Sequence, residues 1–174
     1  MRIGRFVLKL VFILMVSCTG EKSTSTVLDT ELEDQEVKIT AKAIEDFDYT
    51  DYALSSNAEE QVANWEKYQE LGIQISYLKK ADLSFFNGDK KVIKKFIDEF
   101  TANIPSEFLT NPIVSRTVII ETAILKLNES LTIDNIGGRT KLSNVKDVLV
   151  AFSNLNYQIN KKIERDIYDK ISKE

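Results

Sequence analysis

The stretch TKLSNVKDVLVAFSNLNYQINKKIERDIYDKI, residues 140–171, decides the fold class. Leu142, Val145, Leu149, Phe152, Ile159 and Ile163 follow one another at steps of three, four and seven, so they share one face of a helix with about 3.6 residues per turn. No Gly or Pro interrupts the run, and lysines and acids occupy the positions between. The pattern predicts the longest helix of the chain. One helix cannot bury its own apolar stripe, so the rest of the sequence must supply partners for it.

Three such partners precede it. Ile113, Thr117, Ile120, Ile124, Leu127 and Leu131 predict a helix over about 112–131, with Asn111-Pro112 as an N-cap and a proline at the first helical position. Val92, Ile93, Phe96, Ile97 and Phe100 predict a helix over about 90–103, capped by Asp89 and ended by Pro105. Ala58, Val62, Trp65, Tyr68, Gly72, Ile75 and Leu78 predict one over about 57–82, with Ser55 or Ser56 as cap and Asn87-Gly88 after it. Asn135 and Gly137-Gly138 make the last turn. Four amphipathic helices on short loops imply an all-α protein, an antiparallel four-helix bundle over residues 47–174. The whole chain agrees: 174 residues suit one domain, two prolines and six glycines are too few for a turn-dense β fold, and 43% hydrophobic content is too high for wholesale disorder.

Composition also removes several kinds of chemistry. With no His and one Cys, the chain has no Ser–His–Asp triad, no His-containing zinc site, no Cys-rich cluster and no internal disulfide. The Glu-x-x-His element of di-iron bundles is likewise missing. The expectation is therefore no cofactor and no metal. Glu66 and Glu70, and Asp98 and Glu99 after Lys94 and Lys95, alternate with lysines as exposed helix pairs do. Gly137-Gly138-Arg139-Thr140 lacks the preceding strand and the Lys-Ser/Thr of a phosphate loop and reads as a helix connection. Lys79, Lys80, Lys90, Lys91, Lys94 and Lys95 cluster around the first helical hairpin. They read as a solvated face, or as a grip on anionic headgroups or an acidic partner.

The front of the chain carries an address. Arg2, Arg5 and Lys9 form a basic region without acids, and Leu10–Val16 form an apolar core too short to cross a bilayer, which takes about 20 helical residues. This predicts a secretion signal over residues 1–17. Met15-Val16-Ser17-Cys18 resembles the lipobox of bacterial lipoproteins, with Met15 in place of the preferred Leu. The resemblance implies cleavage before Cys18 and acylation of Cys18, hence a permanent anchor. Loss of residues 1–17 takes away three basic residues and no acid, leaving 20 against 27 and a net charge of −7. That balance gives nucleic acid no electrostatic motive to bind. Ser/Thr-rich residues from Thr19, followed by the acidic Glu31–Glu36, predict a flexible tether over 18–46. Within it, Val37–Ile44 reads as weakly structured.

Phe47-Asp48-Tyr49-Thr50-Asp51-Tyr52, Tyr77–Asp89 and Val150-Ala151-Phe152-Ser153-Asn154-Leu155-Asn156 resemble small lipoproteins of flavobacteria and their relatives. The resemblance implies a bacterial cell-envelope location, on a periplasmic or surface face. It brings no activity and no site residues with it.

Two sets of residues remain as candidates. Glu121 and Asn156 fall on or beside apolar stripes and are expected as a polar core layer that fixes helix register. Phe47, Tyr49, Tyr52, Phe85, Phe86 and Phe108 sit near predicted loops, where they either plug the bundle ends or form an exposed patch for a protein partner. The expected function is a membrane-anchored, non-catalytic interaction module such as an adaptor, accessory subunit or chaperone. The alternatives are a small-ligand or lipid carrier, which needs an apolar cavity, and a hydrolase using carboxylates alone, which needs two acids in a cleft.

Overall fold

The structure is a computed structural model and describes residues 37–172. The leader 1–17, Cys18 and the tether up to residue 36 lie outside the described residues. Among the described residues the chain is all-helical, with no strand. Its elements are α1 (Ala41–Glu45), α2 (Ser56–Val62), α3 (Glu66–Leu78), α4 (Lys90–Ala102), a 3-10 turn (Ser106–Phe108), α5 (Asn111–Thr132) and α6 (Gly138–Ile171).

The apolar stripes become one core. Val145, Leu149, Phe152, Ile159 and Ile163 of α6 are buried with Ile113, Ile120, Ile124 and Leu127 of α5 and with Ile93, Phe96, Ile97 and Phe100 of α4. α5 and α6 run in opposite directions: Lys126 meets Asp147 at 3.0 Å, and the groove between them also brings Val118 toward Asn154. Asn135 turns the connection at φ 67°, a left-handed conformation that Asn tolerates better than most residues. Asp89 caps α4 by accepting from the Lys91 amide at 2.7 Å, and Ser55 caps α2 through the Ala58 amide at 3.3 Å.

Four sequence expectations are corrected. The single helix over 57–82 is two helices, interrupted at Ala63–Trp65. The reason is Trp65. Its indole is buried, lies 5.0 Å from the Phe100 ring in a stacked pair, and donates from Nε1 to the Phe100 carbonyl at 3.1 Å. That carbonyl belongs to the last turn of α4, where no further helical amide is available, so the indole completes the helix end. Leu71, not Gly72, fills the stripe of α3. Val92 is 63% exposed, displaced from the core by its neighbour Ile93. Thr110, rather than Asn111, holds the cap position of α5, so Asn111-Pro112 form its first two residues.

The boundary between tether and body also moves. Thr40 caps α1 through the Ala43 amide at 3.1 Å, and Ile44 is buried in the core with Ile39 packed against it. Residues 39–46 therefore belong to the folded body and not to the tether. Val37 lies so close to Gly138 that a Cβ on the glycine would sit 1.9 Å from the Val37 carbonyl oxygen. Gly138 is needed for that approach, beyond its place in a turn.

Candidate functional site

A connected polar network is built on α6. Ser153, Asn156 and Asn160 are spaced three and four apart and so line one side of the helix. Across them runs the extended segment Thr50–Ser55, whose backbone groups have no strand to pair with. The side chains of α6 take that role. The Ser153 hydroxyl donates to the Thr50 carbonyl at 2.6 Å and accepts from the Tyr52 amide at 2.8 Å. Asn156 Nδ2 donates to the Tyr52 carbonyl at 2.9 Å. Asn160 Nδ2 donates to the Ala53 carbonyl at 2.8 Å, and its Oδ1 accepts from the Ser55 amide at 2.9 Å. The Tyr52 ring packs 4.8 Å from Tyr157, one residue beyond Asn156.

Asn156 links this segment to α3. Its Oδ1 accepts from the Tyr68 hydroxyl at 2.7 Å in a buried setting. Burial, with a smaller push from the Glu59 charge, holds the Tyr68 phenol well above the usual tyrosine range. Tyr68 and Asn156 also line a cleft of about 450 Å³, walled by Leu54, Val62, Gly72 and Phe152 and edged by Glu59 and Gln69.

Glu121 is not part of that network. It stands half-buried on the flank of α5, with no hydrogen bond to Asn156, so the two do not form one layer. The buried polar residue of α5 is Asn128, whose Nδ2 donates to the Phe86 carbonyl at 2.8 Å and the Gly88 carbonyl at 2.9 Å. Its Oδ1 is buried without a partner among the described residues. The signal was present in the sequence, since Asn128 falls four residues after Ile124 inside the apolar stripe. Ser153 and Asn160 were legible in the same way, by their spacing from Asn156.

The six aromatics do not make a common patch. Phe86 and Phe108 are buried completely, and Phe47, Tyr49 and Phe85 are half-buried against the core. Phe85 meets Phe86 and Phe96 edge-on at 5.0 and 5.1 Å. Tyr52 alone of the six is exposed. A ring near a loop is buried when that loop folds over a helix end, which sequence position does not reveal.

Exposed apolar surface lies elsewhere. Val118 and Ile119 on α5 are 51% and 48% exposed, and with Ala123, Val150 and Ala151 they line a groove of about 370 Å³ between α5 and α6. Lys126 and Asp147 close one end of it. A third cleft, of about 650 Å³, lies where Val37–Ile39 pass Leu83, Leu131 and Gly138. Among the described residues no three His, Cys, Asp or Glu side chains converge, and no helix is long and apolar enough to cross a membrane. A comparison of the chain with protein-family models, with curated proteins and with solved structures finds no match.

Proposed function

We propose that the chain is a membrane-anchored lipoprotein of the bacterial cell envelope whose helical body is a non-catalytic interaction module. α2 and α3 together form the first arm of an antiparallel four-helix bundle completed by α4, α5 and α6. The observation that carries the reading is Cys18 at the end of a basic and apolar leader, a position where a thiol without a disulfide partner gains a use as an acyl attachment point. The body adds a partner surface in the α5–α6 groove, where Val118 and Ile119 leave apolar area in water that an envelope protein would cover. The two-acid alternative draws little support from the clefts: Glu59 is the one carboxylate lining the Tyr68 cleft, and Asp147 in the groove is paired with Lys126.

Metabolic labelling with a palmitate analogue tests the anchor, with wild type expected to label and Cys18→Ala not to. A photo-crosslinker at Ile119, compared with one at Lys161, tests the groove. One envelope protein captured from position 119 and lost on Val118→Asp is expected; equal capture from both positions refutes the assignment. A small-ligand carrier remains the second reading, favoured by the mixed apolar and hydrogen-bonding lining of the cleft beside Tyr68 and Asn156.

A further inference from the structure

The two ends of the body carry opposite charge. One end is assembled from Val37–Ile39, the turn from Lys79 to Lys91 and the α5–α6 connection. Leu83, Leu131, Val37 and Gly138 share a cleft there, and Asn128 bonds to Gly88. The stretches 37–39, 79–91 and 131–141 hold seven Lys or Arg against three Asp, and Asp51, paired with Lys79, brings a fourth acid to this end. The other end is fixed by Phe108, which lies 6.4 Å from Trp65 and takes Lys162 over its ring at 5.3 Å. The stretches around it, 56–66, 103–112 and 160–172, hold seven acids against four Lys or Arg. In a chain of net charge −4 the basic end is a local reversal of sign.

Ion pairs take up part of the cation set away from the basic end, where Arg116, Lys146, Arg165 and Lys170 have no ion pair among the described residues. Lys42, Lys67, Lys94, Lys95, Lys126, Lys161 and Lys162 each sit within ion-pair distance of a carboxylate. At the basic end Lys79 is paired with Asp51, but Lys38, Lys80, Lys90, Lys91 and Lys141 have no ion pair among the described residues. Four of these five are exposed and Lys141 is half-buried. The described chain begins at the same end, at Val37, 19 residues after Cys18. Even fully extended, 19 residues reach no more than about 68 Å, so an acylated Cys18 keeps this end within tens of ångströms of the bilayer.

We propose that this basic end is a docking face for the anionic phospholipid headgroups of the membrane that holds the anchor, so that the body stands with its basic end down and its acidic end outward. Unpaired lysines near an anionic surface gain attraction that decays within a Debye length, about 8–10 Å at physiological salt, while the acidic end is repelled. The inference rests on the anchored reading for the presence of a bilayer and adds the orientation and the headgroup class.

The test uses the full chain with Cys18→Ser, floated with vesicles of phosphatidylcholine alone or with phosphatidylglycerol added. A second protein carries Lys38→Gln, Lys80→Gln, Lys90→Gln, Lys91→Gln and Lys141→Gln in the same background, and its circular dichroism and melting are compared first. The leader is common to both proteins and cancels. The expected result is a phosphatidylglycerol-dependent component of binding that falls at least tenfold in the Gln variant and is suppressed by raised salt. Equal binding of the two proteins to anionic vesicles overturns the proposal, as does equal binding of the Lys protein to both vesicle types. If the Gln set unfolds, Lys90→Gln with Lys91→Gln alone, both exposed on the first turn of α4, must still weaken anionic binding severalfold. Failure of palmitate labelling at Cys18 removes the anchor without touching the vesicle result, so the two readings fail separately.

Discussion

Replacing Asn156 with Leu isolates what one amide does for the fold. The substitution keeps the side chain near its original size but deletes the donor to the Tyr52 carbonyl and the acceptor for the Tyr68 hydroxyl. Tyr68 is only 5% exposed, so its hydroxyl loses its protein partner in a largely buried setting, at a cost of about 1–3 kcal/mol. The Tyr52 carbonyl lies nearer solvent and loses about 0.5–1 kcal/mol. Together the change costs about 1.5–4 kcal/mol, a fall in Tm of roughly 5–16 °C for a body of this size. Urea unfolding followed by circular dichroism and by the emission of the chain's one tryptophan, Trp65, measures it. The decisive comparison adds Tyr68→Phe. Removing the stranded hydroxyl should make the double variant more stable than the sum of the single effects by about 1–2 kcal/mol. Strict additivity, or an Asn156→Leu protein within about 0.5 kcal/mol of wild type, would refute the view that Asn156 bridges the extended segment to α3.

Three further outcomes follow from the same geometry. An unfolded tyrosine ionises near pH 10 whereas folded Tyr68 keeps its proton, so stability should fall as pH rises past about 10, at up to about 1.4 kcal/mol per pH unit. Tyr68→Phe should flatten that alkaline slope in chemical denaturation, and an unchanged slope would place the titration elsewhere. Gly138→Ala should cost about 1–3 kcal/mol by driving a methyl into the Val37 carbonyl, although alanine is the better helix former. Melting of that variant is the check, and a rise in Tm would count against the contact. Asn128→Leu should cost about 1–3 kcal/mol and speed amide exchange around Asn87–Gly88, because the Phe86 and Gly88 carbonyls lose their shared donor; protection that stays at the wild-type level would show that the turn holds without it.

The sequence by itself determined the helical character and most of the core. A stripe at helical spacing can be buried only one way, so Ile120, Ile124, Leu127, Val145, Leu149 and Ile159 were assigned correctly before any packing was known. Caps such as Asp89 and Ser55 were equally local, since their bonds reach only two or three residues ahead. The proposed leader and its Cys18 rest on sequence alone, because that reading depends on order along the chain. What needed the tertiary structure involves partners distant in sequence. The break before Trp65 answers to a carbonyl 35 residues away, and the extended segment Thr50–Ser55 is ordered by side chains 101–107 residues further on. The fate of the six aromatics was set in the same manner: Phe86 and Phe108 vanish from the surface because loops close over them, while Val118 and Ile119 stay exposed because nothing in the described chain lies across α5 there. Periodicity records which side of a helix is apolar. Only the folded arrangement decides which of those sides finds a neighbour, and which lysines meet a carboxylate.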